Sequence, residues 1–231
     1  MAGQIFSIEG TDGSGKKTQS IKLYERFKEE GIPCEVMSFP NYDSPTGKIA
    51  GVCYLGKIDL GLGGSWFEEP TKLDPYVASL YFAADRRNEK ARIEEILSSG
   101  KHLILNRYIE SNMAHQGGKL RGVERKKFID FMENLEYGLL EMPKPNKTIF
   151  LYIPTDITIK LREERNEFPD AHESSEEHLK NAEETYLELE KRFNWTRIIC
   201  APNGKVRHRE SIAEEVYNQV IAIKTFKNNF S

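Results

Sequence analysis

The sequence predicts an α/β fold in three layers, a five-stranded parallel sheet with helices on both faces. Three observations carry this. Five short apolar runs, at 4–9, 34–39, 102–106, 148–153 and 197–200, have the length and continuous hydrophobicity of strands buried on both sides. Helical patterns separate them, so successive strands are joined by crossovers and run parallel. The first run is followed at once by a glycine-rich loop, GTDGSGKKTQ at 10–19, which opens the first helical pattern. Strand, glycine loop and helix in that order make the P-loop type of nucleotide fold.

The elements follow in order. After the 4–9 strand, a helix over 16–30 repeats Ile21, Leu23, Tyr24 and Phe27 and stops at Gly31, a residue suited to a left-handed cap. A long helix is expected over 75–99, with Val77, Leu80, Tyr81 and Ala84 as its core stripe and Gly100 ending it. Further helices are expected over 110–116, 124–137, 155–165, 176–192 and 210–223. Two polar segments, 56–71 and 166–177, carry no periodic signal. The second is densely charged and lies between two helices, so 162–177 reads as a mobile lid or, equally from composition, as a solvated loop. No repeat or interdomain linker interrupts 1–231, which reads as one domain.

Composition excludes several classes. Of 231 residues, 39% are hydrophobic and 30% charged, which fits a soluble globular chain rather than a disordered one. The formal net charge of -3 provides no global basic field for nucleic acid. No apolar run approaches the ~20 residues that span a bilayer. The opening MAGQIFSIEG enters a strand without a basic and then apolar leader. Cys34, Cys53 and Cys200 have no metal spacing and read as reduced, mostly buried thiols. The expectation is a cytoplasmic enzyme with no nucleic-acid or membrane partner.

In the loop, Gly10, Gly13 and Gly15 let the backbone turn so that N–H groups, with those of Ser14 and the helix start, converge on an anion. Lys16 would reach the β and γ phosphates. The usual pattern has a Ser or Thr directly after that lysine to hold magnesium. Here Lys17 intervenes and Thr18 comes one place late. An ammonium has no lone pair for a metal, so the ion is held elsewhere, or Lys17 replaces part of its electrostatic work, or Lys17 faces solvent. The competing reading of the whole stretch is a tight turn with a solvated lysine pair.

Several motifs, in order along the chain, resemble the thymidylate kinase family. They are EGTDGSGKKTQ at 9–19, FPNYDSPTGK at 39–48, LYFAADRR at 80–87, NRYIESNMAHQGG at 106–118, MPKPN at 142–146 and EETYLEL at 183–189. The resemblance implies transfer of the γ-phosphoryl of ATP to thymidine monophosphate, on the route to dTTP, with magnesium as the accompanying ion. The alternatives are a kinase for another pyrimidine nucleotide or nucleoside, and a catalytically weakened nucleotide-binding homologue. A homodimer packed through helices flanking the acceptor site is also implied.

Residue by residue, Phe82 and Arg86 are one helical turn apart, and a flat ring beside a guanidinium suits a nucleobase. Ordinary packing plus a salt bridge would fit the same spacing, but the two positions match the family's base-stacking and base-reading residues. Arg107 follows the third strand at a carboxyl edge, where a fork of donors suits a monophosphate or caps a helix. The matching family arginine contacts the acceptor phosphate, with Tyr42 across the pocket. Pro40, Ser111, Asn112 and Gln116 complete the implied acceptor set. His115 stands where the family has Tyr or Phe, so it lines the sugar or is simply a packed histidine. Asp12 matches an acid beside the sugar 3′-hydroxyl and phosphate. Asn106 replaces the family's usual Asp, a second weakened metal position, so Asp12 and Glu173 become the candidate magnesium ligands. Arg162 and Arg165 are the candidate lid arginines, or surface partners of nearby glutamates, and Ala171 stands where many family members carry arginine.

Overall fold

The computed structural model describes residues 2–56, 65–164 and 175–223. All five expected strands form: β1 (Ile5–Gly10), β2 (Cys34–Ser38), β3 (His102–Asn106), β4 (Lys147–Tyr152) and β5 (Thr196–Ile199). They make one parallel sheet in the order β2-β3-β1-β4-β5. The helices are α1 (Lys16–Glu29), α2 (Pro45–Lys48), α3 (Pro75–Asn88), α4 (Lys90–Ser98), α5 (Ile109–Gly117), α6 (Gly122–Glu133), α7 (Thr155–Glu164), α8 (Glu176–Phe193) and α9 (Arg209–Ile221).

Strand side chains alternate between two cores, as the two-residue period requires. Phe6, Ile8, Ile104, Leu151 and Ile198 face α1 and α9 through Leu23, Phe27, Val216 and Val220. Ile5, Leu103, Leu105 and Phe150 face the other helical layer through Ile93, Met113, Phe128, Met132, Tyr186 and Leu189. Each fully buried side chain of this size contributes about 1.5–3 kcal/mol. The parallel arrangement brings the ends of β1 and β3 together, with Ile8 opposite Asn106 and Gly10 opposite Leu151 of β4.

Three expectations need correction. The long helix over 75–99 is two helices, α3 and α4, broken at Glu89, whose N–H turns back to Arg86 and Asp85. The break frees α4 to pack its Ile93 and Ile96 under the sheet while α3 stays over the cleft. The expected stripe of α3 is not the core face: Val77 and Leu80 are 42% and 51% exposed, Ala84 is exposed, and Tyr81 is half-buried. The buried face carries Ala78, Ser79, Ala83, Asp85 and Arg86, because small and hydrogen-bonded residues pack there. The helix expected over 124–137 ends at Glu133 and widens into a π-helical turn, Asn134–Leu139, which carries Glu136 into the interior.

The remaining boundaries agree within about two residues, the usual uncertainty of helix ends. The segment before α3 holds structure that periodicity did not announce, namely α2 and a π-helical stretch, Ile49–Tyr54. The three cysteines are free; Cys200 is buried, but Cys34 and Cys53 are only half-buried. Among the described residues no helix is long and apolar enough to cross a membrane.

Candidate active site

The glycine loop joins β1 to α1 with the conformations its sequence demands. Gly13 and Gly15 have φ of 75° and 88°, where a side chain is strained. A Cβ on Gly10 would collide with the Leu151 carbonyl and Ser14 Oγ, so the loop lies tight against β4. Thr11 Oγ1 donates to the Ile153 carbonyl at 2.7 Å and ties the loop to the end of that strand. Helix α1 starts at Gly15 with no side-chain cap and no acid in its first turn, so its N-terminus is open to an anion. Ser14 Oγ is buried and finds no hydrogen-bond partner among the described residues.

Lys16 Nζ donates to the carbonyls of Gly10 and Thr11 at 2.9 and 2.8 Å and lies 3.7 Å from Asp12. Lys17 is exposed on the same turn, and Thr18 is half-buried. The loop tip packs on α7, where a Cβ on Gly13 would come 3.2 Å from Thr158. Arg162 is one turn further along the same helix, on the face that carries Thr158. Arg165, Ala171 and Glu173 lie outside the described residues.

Next to the loop opens a cleft of about 580 Å³, its mouth included. It is lined by Asp12, Pro40, Tyr42, Phe82, Arg86, Arg107, Ser111, Asn112, His115 and Gln116, together with Phe39, Leu55 and Tyr108. The first ten are the acceptor residues expected from sequence, and the structure brings all of them to one cavity.

At the loop end of the cleft, Asp12 is surrounded by Arg107, Lys16 and His115. Arg107 Nη2 donates to Asp12 Oδ1, and His115 Nε2 lies 3.6 Å from Oδ2. Burial opposes ionisation of Asp12, but Arg107, His115 and Lys16 outweigh it and hold the carboxyl well below its ordinary range. Burial likewise works against the Arg107 charge, and Asp12 together with Tyr186 and Glu9 more than offsets it, raising the guanidinium further. Arg107 has a φ of 65°, an uncommon backbone for a side-chain-bearing residue, held by its N–H donating to the Ile8 carbonyl at 3.1 Å. Its Nη1 reaches Ser111 Oγ at 3.3 Å.

At the far end, Arg86 and Glu136 form an ion pair in which both side chains are buried; Arg86 donates from Nε at 3.1 Å and from Nη2. Phe82 stands beside it, edge-on to Tyr54 at 5.6 Å. Asn112 donates from Nδ2 to the Ser79 carbonyl at 3.3 Å, and its Oδ1 is buried without a partner. Gln116 and Tyr54 hydrogen-bond at the cleft floor.

Several supports were not foreseen from sequence. Glu9, at the end of β1, accepts from the Tyr108 N–H and from Ser111 Oγ, both at 2.6 Å. Burial raises its pKa, while Ser111, Arg107 and Tyr108 pull the other way. Asp85 accepts from the Asn41 N–H and Ser44 Oγ, both at 2.7 Å, and so folds the 41–46 loop that presents Tyr42. Glu9 and Asp85 fall inside the matched motifs at 9–19 and 80–87, but nothing in the linear order named their partners. Glu136 had no signal beyond its charge.

Among the described residues no group of three or more His, Cys, Asp or Glu gathers, so these residues build no cage for a magnesium ion. Asn106 Nδ2 donates to Ser38 Oγ at 3.1 Å. The described donor set fits an ion that arrives on a nucleotide, with Asp12 the carboxylate that the cleft lining offers, since magnesium keeps most of its ligands as water and phosphate.

Comparison with known proteins agrees with this geometry. A family model described as thymidylate kinase matches residues 8–212. The thymidylate kinase of Arabidopsis thaliana is 27% identical over 94% of this chain and 72% of its own. A probable thymidylate kinase of Thermococcus onnurineus is 28% identical over 94% of both chains. The solved structure of thymidylate kinase from Candida albicans superposes with a TM-score of 0.73 at 21% identity, covering 97% of this chain and 93% of that one.

Proposed function

This chain belongs to the thymidylate kinase family, and on that premise we propose how its cleft carries out the reaction. The enzyme transfers the γ-phosphoryl of ATP to thymidine monophosphate, giving the diphosphate. The observation that supports the residue assignment is one cleft with Arg107, Asp12 and Lys16 at its loop end and a buried guanidinium near a flat ring, Arg86 and Phe82, at the other.

The loop N–H groups, Ser14 Oγ and the start of α1, with Lys17 and Thr18 on its first turn, receive the ATP phosphates. Lys16 leaves its loop carbonyls for the β and γ phosphates. Phe82 stacks on the thymine, Arg86 hydrogen-bonds a base carbonyl, and Asn112 Oδ1 accepts from the ring N–H. Arg107 trades part of its contact with Asp12 for the acceptor phosphate. Asp12, kept anionic by its neighbours, orients Arg107 and the sugar 3′-hydroxyl. Arg162, with Arg165, closes over the transferring group from the lid at 162–177, where positive charge stabilises the equatorial oxygens and water is excluded. Asp12, with Glu173 as second candidate, would hold a magnesium ion carried in by ATP, which would supply positive charge between the two nucleotides. The chain's own residues supply alignment and fixed charge, and no general base is required.

The enzyme is proposed to be cytoplasmic, to act as one domain, and to form a homodimer through the exposed face of α3. Val77 and Leu80 stand out from that helix beside Ala84, an apolar stripe on the surface. Leu80→Glu should shift the particle mass from dimer to monomer in light scattering; a wild-type monomer would refute the assembly.

The deciding experiment is a coupled assay for ADP formation with thymidine, deoxyuridine and cytidine monophosphates, with and without magnesium. Magnesium-dependent turnover, fastest with thymidine monophosphate, is expected. Nucleotide binding without turnover would overturn the assignment.

A further inference from the structure

A second cleft, of about 700 Å³ with its mouth included, opens at the amino end of β4, away from the phosphate loop. It shares no lining residue with the cleft described above. Its floor is Glu110, the residue on α5 immediately before Ser111. Glu110 is 5% exposed; Oε1 accepts from Tyr137 Oη at 2.7 Å, and Oε2 is buried with no hydrogen-bond partner among the described residues. The walls are aromatic: Tyr137 from the π-helical turn, and Phe193 and Trp195 stacked at 6.0 Å beyond α8.

We propose that this cleft is a second ligand site, one that takes a small organic ammonium on an apolar or aromatic body, with Glu110 as its counter-ion. A buried carboxylate oxygen without a donor is costly, and an ammonium supplies both the missing hydrogen bond and the opposite charge. The ring faces favour the same chemistry, since cations are attracted to aromatic faces. One wall already holds an ammonium of this chain, with Lys144 Nζ 5.0 Å from the centre of the Tyr137 ring. A single water would satisfy Oε2 but fill only a small part of such a space.

Charge around Glu110 sets the pH dependence. Burial first, and then Glu9 of β1, push its pKa up to about 7, against the Tyr137 hydrogen bond and Arg86 of α3. At the mouth stand Lys144, Lys147 and Glu133, the last paired with Arg192. Ionisation of Glu110 therefore strengthens the site as pH rises from about 6 to about 8.

The chain has two tryptophans, so a Trp66→Phe background leaves Trp195 as the only indole. Benzylammonium chloride titrated into that protein, with thymidine monophosphate saturating, should give a saturable change in Trp195 fluorescence. The affinity should rise from about pH 6 to about pH 8. It should fall by about tenfold or more in Glu110→Gln. Displacement by thymidine monophosphate, equal binding of benzyl alcohol, an affinity flat in pH or no saturable signal would each overturn the proposal. The pH and benzyl alcohol arms use an unaltered Glu110, so they stand even where Glu110→Gln fails to fold.

Discussion

The phosphate loop and the base end of the cleft are built by opposite means. The loop is a run of neighbouring residues whose backbone makes the site, with Gly13 and Gly15 at positive φ and Gly10 pressed against β4. The base end is made of side chains from distant elements, with Arg86 of α3 held by Glu136 of the π-helical turn and Asn112 of α5 anchored on Ser79. A backbone site is specified locally and recognises any polyphosphate. A side-chain site depends on packing and can distinguish one base from another. The loop should therefore fail locally, in catalysis, and the base end in stability and selectivity together.

The largest expected effect tests the catalytic half of that contrast. Lys16→Ala should lower kcat by about a thousandfold or more while leaving the circular dichroism spectrum native, because fixed charge at the transferring group is the enzyme's main contribution. A variant with wild-type kcat would remove Lys16 from the reaction.

Next is Glu136→Leu, which leaves Arg86 charged and buried without its partner. It should cost about 3–5 kcal/mol in chemical denaturation and raise the KM for thymidine monophosphate, with the KM for ATP nearly unchanged. A stable protein with an altered ATP KM would reverse the contrast between the two ends.

A pH series separates the acids behind the two ends. Glu110 is raised from 4.5 to about 7, so the folded protein holds a proton that the unfolded chain releases. Stability should fall as pH rises from about 4.5 through about 7, by at most about 3 kcal/mol. Glu110→Gln should reduce that slope, leaving the part that comes from Glu9, whose pKa burial also raises. Asp12 acts in the other direction: its depressed pKa adds stability that is present above its ordinary 3.8 and lost as pH falls below it. A slope between pH 4.5 and 7 that is unchanged in Glu110→Gln would assign it to another group.

The smallest effect is Gly13→Ala. A side chain at φ 75°, 3.2 Å from Thr158, should cost about 1–2 kcal/mol and raise the KM for ATP, with little change in that for thymidine monophosphate. Equal shifts in both would mean that the loop and the base end respond as one unit.

Much of the site was legible in sequence where recognition depends on neighbours in the chain. The glycine loop was read from local order, whereas Phe82 with Arg86 and the set Arg107, Ser111, Asn112, His115 and Gln116 rested on the family resemblance; these residues and Asp12 of the loop line the same cleft. The α3 stripe misled because periodicity reports that a face is apolar but not whether anything covers it. Val77 and Leu80 remain at the surface, while the polar Asp85 and Arg86 are buried because the 41–46 loop and Glu136 satisfy them.

The sequence by itself determined the order of strands and helices and the glycine loop, while the acceptor set came only through the family resemblance. The first two follow from side-chain periods and backbone freedom, which act over a few residues. Only the tertiary structure decided that Arg107, Lys16 and His115 close around Asp12, that Glu9 clamps Tyr108 to Ser111, and that Glu136 fixes Arg86. Those partners are separated by up to about a hundred residues, and buried charges find them only when the sheet register brings the strand ends together.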